Sequence, residues 1–150
     1  QFDVAKFHLV HHTRNKRRPV GSCLVIGNVT IRPESHARYL GVILDKELRW
    51  HAQVDSTVPK STASVLAIGR LASGRFGLPY RFIRNLYISV VRPKMEYGVA
   101  LWYTPIQEVP DSPRRRGRLE RVQRVAARLI TGAFKTSPTD TLEYLADLLP

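Results

Sequence analysis

Arginines recur at helical spacing near the C-terminal end of the chain, and their guanidinium groups could bind phosphate. At about 100° per residue they occupy an arc of about 120° on one side of a helix predicted over residues 114–133. Like charges on one face repel one another unless an anion lies alongside, and a phosphate backbone would provide it. The alternative is a solvated face whose arginine stems cover apolar surface. The five residues are Arg114, Arg118, Arg121, Arg124 and Arg128.

The charge of the whole chain favours the same kind of partner. Its 150 residues include 24 Lys and Arg against 12 Asp and Glu, which gives a net charge of +12. Eighteen of the basic residues are arginine, whose planar fork matches phosphate geometry. This excess predicts a polyanionic partner, nucleic acid before an acidic membrane. A second basic cluster, which is either a phosphate or nuclear-localisation patch or a solvated loop, is Lys16, Arg17 and Arg18.

Residues that could perform catalysis or hold a metal are scattered. No two acidic residues are adjacent, and no nucleophile elbow or phosphate-binding glycine loop occurs. His8, His11 and His12 with Cys23 could be imagined as a metal site, but strand geometry places His8 and His12 opposite His11. We therefore predict no catalytic residue, no metal site and no cofactor within this chain. The single cysteine excludes an internal disulfide and favours a reducing compartment.

The pattern of apolar residues predicts an α+β fold, in which strands precede helices. Strands are expected over residues 5–11, on both sides of Gly27-Asn28, and over residues 38–44, where the nearly continuous apolar run suggests burial on both faces. These strands would form a small antiparallel sheet. The longest uncharged run, residues 19–31, has only 13 residues and is too short to span a bilayer, so no membrane partner is expected.

Helical spacing begins after residue 46, and we place a domain boundary there. The two predicted domains are residues 1–46 and 47–150. Pro59 predicts a kink or a new start in the first helix, and Pro93 predicts the end of the second helix or a bend in it. Helices are predicted over residues 48–72, 78–91 and 114–133, with a short helix from residue 137 to about 148.

Four stretches of sequence follow one another in an order that one enzyme family shares. Residues 2–11 contain a lysine followed by an apolar strand, and residues 38–45, with Leu48 and Trp50, contain an aromatic-Leu-Gly motif. Residues 86–102 contain Leu86-Tyr87, Arg92-Pro93, Tyr97-Gly98 and Trp102, and residues 119–142 contain Gln123-Arg124 and the run Arg128-Leu129-Ile130-Thr131-Gly132-Ala133. This order resembles the lysine-bearing strand, primer grip, thumb and following helix pair of non-LTR retrotransposon reverse transcriptases.

The resemblance implies a role for particular residues and a particular partner. Tyr39, Leu40, Gly41, Asp45 and Trp50 would position a primer end, and the basic side chains would follow the phosphates of an RNA/DNA template–primer duplex. The catalytic aspartates and their Mg²⁺ are expected upstream of Gln1, so the chain is expected to be a fragment without polymerase activity of its own. Its other partners would be the rest of the polymerase and a downstream ribonuclease H domain, in the nucleus.

Two other interpretations stay open from the sequence. One is an independent basic nucleic-acid-binding protein with no polymerase parent. The other is a helical protein-interaction module whose arginines meet acidic partners.

Overall fold

A computed structural model describes residues 6–13, 15, 21–72, 77–103 and 112–149, and it shows an α+β fold. Contacts divide the chain into two compact units, Gln1–Val54 and Asp55–Pro150, and the division falls inside the helix His51–Ala72. A π-helical turn, Tyr87–Val91, joins the helices Tyr80–Leu86 and Arg92–Glu96. The elements in chain order are β1 (Leu24–Ile26), β2 (Val29–Ile31), β3 (His36–Tyr39), β4 (Val42–Asp45), α1 (His51–Ala72), α2 (Tyr80–Leu86), α3 (Arg92–Glu96), α4 (Val99–Trp102), α5 (Ser112–Thr131) and α6 (Thr139–Ala146).

The described strands of the first unit form two separate antiparallel hairpins rather than one sheet. β1 pairs with β2, and Leu24 lies opposite Ile31. The turn between them contains Gly27 at φ +59°, a conformation that glycine adopts without steric cost. The hairpin predicted around Gly27-Asn28 is therefore confirmed.

Residues 38–44 form a second hairpin, and the prediction of one strand buried on both faces is wrong. Leu40 and Gly41 have φ values of +47° and +83°. Positive φ at both central residues defines a type I′ turn, whose twist matches that of the flanking strands. Val42 is buried, but Tyr39 and Leu40 are exposed. An apolar run signals burial only if the chain continues straight, and here it reverses.

The N-terminal strand predicted over residues 5–11 is also wrong for residues 6–11, which belong to no strand. Within the described residues its sheet-like contact is a single parallel bridge between Leu9 and Pro33. The Glu34 N–H donates to the Leu9 carbonyl at 2.7 Å, and the Glu34 carboxylate lies 3.0 Å from Nδ1 of His8. Because proline has no N–H, a ladder cannot continue through Pro33.

The core of the second unit is built by α1, the α2–α3 segment, α5 and α6. At helical spacing the apolar residues of α5 gather on one face, where Val122, Ala126 and Ile130 are buried and Leu119 and Leu129 pack against them. No described helix is long and apolar enough to cross a membrane. The buried members of this core are Val65, Ile68, Ile83, Tyr87, Val91, Met95, Val122, Ala126, Ala127, Ile130, Leu142, Ala146 and Leu148.

Pro59 and Pro93 lie within helical segments, and neither ends its segment. α1 continues through Pro59 without a new start. Before Pro93 the backbone widens into the π-helical turn, where the Arg92 N–H donates to the Tyr87 carbonyl five residues back. A proline ring collides with the carbonyl four residues earlier in a regular α-helix, and a wider turn relieves this contact.

Two glycines, one inside α5 and one just after its last residue, make a matched test of helix energetics. Gly117 lies inside the helix, and the nearest atom to an added Cβ would be 3.9 Å away. We expect Gly117→Ala to raise the free energy of unfolding by about 0.5–1 kcal/mol, because alanine loses less backbone entropy than glycine in a helix. Gly132 also has open space but has φ +67° at the helix end. Gly132→Ala should lower the same quantity by about 1 kcal/mol, and urea unfolding measures both.

Candidate nucleic-acid interface

The turn of the β3–β4 hairpin presents two large side chains to solvent. Tyr39 is 66% exposed and Leu40 is 76% exposed. Tyr39 is paired across the ladder with Val42, which is buried. The turn end of this hairpin is therefore apolar, and its Tyr39 and Leu40 side chains are exposed to solvent. Exposed aromatic rings can stack on nucleic-acid bases.

Leu40 has a backbone conformation that is unfavourable for a leucine. The left-handed region costs a residue with a Cβ about 1–2 kcal/mol, and asparagine or glycine normally occupies this turn position. The leucine side chain recovers little of this cost by burial, since it is mostly in water. Strain of this kind is concentrated at binding and catalytic sites, so the observation makes the hairpin turn a candidate contact surface.

Asp45 and Trp50, predicted with the turn as primer-contacting residues, connect the hairpin to α1. The Asp45 carboxylate accepts the Trp50 N–H at 3.1 Å, and the Asp45 carbonyl accepts the Leu48 N–H at 3.0 Å. Trp50 has φ +65° and its carbonyl accepts the Val54 N–H at 3.1 Å, which begins the helix. These contacts fix the direction in which the chain leaves β4.

Gln53 supports the hairpin, although nothing in the sequence marks it. It is 5% exposed, and its Oε1 accepts the Ile43 N–H at 2.9 Å. A strand edge has unpaired N–H groups, and this amide satisfies one of them on β4. A glutamine in the first turn of a helix usually looks like a solvated residue, and only the folded chain brings it beside β4.

The arginines of α5 divide into two groups in the structure. Arg114 and Arg121 are exposed, as a phosphate-binding role requires. Arg118 is half-buried, and its Nη1 lies 2.5 Å from the Asp55 carboxylate. Arg124 donates to the Thr139 hydroxyl and to backbone carbonyls of the α5–α6 connection.

Arg128, the last of the predicted five, and Arg115 differ from that simple picture. Arg128 is partly buried, and its Nε has no hydrogen-bond acceptor within the described chain. Arg115, which was not among the predicted five, is 2% exposed. Its position about 100° from Arg114 lies in the middle of the apolar arc, so the same helical geometry could have identified it as buried.

Polar contacts of Gln123 link α5 to the π-helical turn and to α6, and they hold α5 in position. The Tyr87 hydroxyl lies 3.1 Å from Oε1 of Gln123, and the Gln123 amide nitrogen donates to Glu143 Oε1 at 2.8 Å and to the Leu149 carbonyl at 3.0 Å. Burial raises the pKa of Tyr87 to about 12, so its hydroxyl keeps its proton and acts as the donor. Arg84 donates to the Asp147 carboxylate and carbonyl at the C-terminal end of α6.

The other predicted site residues, Lys16, Arg17 and Arg18, lie outside the described residues. Across the described ranges no three His, Cys, Asp or Glu side chains come together as a metal site, and His11 instead lies 2.9 Å from the Ser22 carbonyl. The exposed arginines and the hairpin turn can bind an anion and stack on a ring, and we assign them no step of covalent chemistry. Comparisons with protein-family models, with curated proteins and with solved structures gave no match.

Proposed function

We propose that the chain binds the RNA/DNA template–primer duplex of an RNA-directed DNA polymerase of a retrotransposon. In this proposal the residues bind and orient the duplex, and the chemistry belongs to carboxylates and Mg²⁺ elsewhere in the polymerase. The order of sequence motifs and the net charge of +12 support the proposal. Its nuclear location and its polymerase and ribonuclease H neighbours depend on the same resemblance.

The single observation that carries the proposal is the strained, exposed turn at Leu40. A stable hairpin would be easier to build with Asn-Gly than with Leu-Gly at this position. Tyr39 beside it provides an aromatic face, and Gly41 lets another backbone approach closely. These three residues would contact the primer end, while Asp45 and Trp50 would hold the hairpin in place.

In this proposal fewer arginines contact the duplex than the helical spacing predicts. Arg114 and Arg121 are the exposed members and would contact phosphates. Arg118 and Arg124 make contacts within the second unit, so each would have to give up a partner in order to bind the duplex. Backbone contacts of this kind would position the duplex without reading its sequence.

The Leu40→Asn variant tests the role of the hairpin turn. We expect the variant to be at least as stable as the unaltered chain, because asparagine tolerates the left-handed conformation and leucine does not. We also expect it to bind an RNA–DNA hybrid several-fold more weakly, because an apolar contact is lost. Fluorescence anisotropy measures the binding, and thermal unfolding measures the stability.

Leu48→Asn is the matched control for this experiment. Leu48 also has a positive φ, +51°, but it lies in the connection after β4 rather than in the hairpin turn. This variant should leave duplex binding unchanged. If Leu40→Asn binds as tightly as the unaltered chain, or if both leucine variants lose binding equally, the hairpin turn is not the contact surface.

A further inference from the structure

A groove of about 470 Å³ lies between the C-terminal halves of α1 and α5. This volume is within the range of pockets that bind ligands or groups of side chains. Among the described residues that line the groove, Arg128 is the one that the helical spacing predicted to bind phosphate, and the proposed function does not depend on it. The residues that shape it are Leu66, Gly69 and Ala72 on α1, with Arg128, Leu129 and Ala133 on and just after α5.

Small residues give the groove its depth. A Cβ at Gly69 would lie only 3.0 Å from Cδ1 of Leu129, so the two helices approach each other closely at this point. Beyond that contact the short side chains of Ala72 and Ala133 leave space. Leu66, at the border, is 53% exposed. It is therefore an apolar side chain at the edge of a concave surface, where a partner could cover it.

The charges around the groove indicate the sign of the partner's charge. No acidic residue is among the described residues that line it. The buried Nε of Arg128 lacks an acceptor in the described chain, and a carboxylate is the acceptor that suits a guanidinium best. The second unit as a whole has 15 Lys and Arg against 8 Asp and Glu. Charge complementarity therefore favours an acidic partner.

We propose that this groove binds an acidic amphipathic peptide helix. Two helices side by side form an elongated channel, and a third helix can place apolar side chains at positions i, i+3 or i+4, and i+7 into such a channel. A carboxylate at the border of that helix would pair with Arg128. A nucleic-acid duplex has phosphates outside and no apolar side chains, so it does not match the lining of Leu66, Leu129 and Ala133.

The test uses the full chain and two labelled peptides of about 15 residues, a length that allows a helix to form on binding. The first peptide carries leucine at the anchor positions and glutamate at the others. The second has the same composition in scrambled order. We expect the first peptide to bind about tenfold more tightly than the second, measured by fluorescence anisotropy. Equal binding would mean that net charge alone attracts the peptides and would overturn the proposal.

Substitutions then locate the binding surface. Leu66→Glu should weaken binding of the amphipathic peptide about tenfold, because it removes an apolar contact and opposes the glutamates of the peptide. Leu145→Glu is the matched control, since Leu145 is 62% exposed on α6 and does not line the groove. Equal losses in the two variants would overturn the assignment.

Arg128→Gln provides a second, independent variant that keeps a polar side chain of similar length. It should weaken binding of the glutamate peptide, and it should have little effect on a peptide in which glutamine replaces glutamate. Loss of binding to both peptides to the same extent would contradict the carboxylate contact. None of these results depends on whether the hairpin turn binds nucleic acid, so the two proposals can fail separately.

Discussion

The double variant Arg114→Glu, Arg121→Glu should bind an RNA–DNA duplex about a hundredfold more weakly than the unaltered chain, since each charged hydrogen bond to phosphate contributes about 1.5 kcal/mol. Both side chains are exposed on α5. The slope of log affinity against log salt concentration should become shallower by about two units, because two counterion-releasing contacts are removed. Anisotropy titrations at about 50 and about 200 mM salt measure both quantities.

Arg124→Gln is the contrasting variant, because Arg124 holds the connection between α5 and α6. It donates to the Thr139 hydroxyl and to the Ser137 carbonyl at 2.9 Å. Its loss should lower the free energy of unfolding by about 1–3 kcal/mol and should change the salt slope little. A double variant of Arg114 and Arg121 that leaves the salt slope unchanged would contradict the phosphate role of α5.

Leu142→Ala should lower the free energy of unfolding of the second unit by about 2–5 kcal/mol, the usual range for truncation of a buried leucine. Leu142 is 0% exposed and belongs to the core that α6 completes against the other helices. The removed methyl groups leave a cavity that tightly packed neighbours fill only in part. Urea unfolding followed by circular dichroism measures the effect.

Leu145→Ala, three residues along the same helix, is the control. Leu145 is 62% exposed, so its truncation should change the free energy of unfolding by no more than about 0.5 kcal/mol. The two substitutions remove the same atoms and have similar effects on helix propensity. Similar losses of stability in both variants would show that α6 does not pack on the core through the face that contains Leu142.

The helices of the second half of the chain could be predicted well, because a helical repeat depends on residues that are close together in the sequence. The apolar arc of α5 is set by a repeat that can be counted along the sequence, and Val122, Ala126 and Ile130 lie in the core as that repeat requires. The order of strands before helices follows from the same periodicities. The hairpin at Gly27-Asn28 was equally accessible, because its turn depends on two adjacent residues.

The arginines of α5 show what the spacing of residues in the sequence cannot predict. Spacing places Arg114, Arg118, Arg121, Arg124 and Arg128 on one face, but it cannot show which of them has a partner from a distant part of the chain. Asp55 is 63 residues from Arg118, and the Arg124 partners lie beyond the end of α5. Whether a guanidinium is available to a ligand is therefore a property of the folded unit.

The amino-acid sequence by itself determined the net charge, the helical periodicity and the apolar face of α5, since each is fixed by composition or by neighbours within a few residues. Only the tertiary structure decided that residues 38–44 reverse into a hairpin with an exposed, strained Leu40, that Gln53 supports β4, and that α1 and α5 leave a groove beside Arg128. The physical reason is that burial, hydrogen-bond partners and empty space depend on residues that are far apart in the sequence. These residues come into contact only when the whole chain folds.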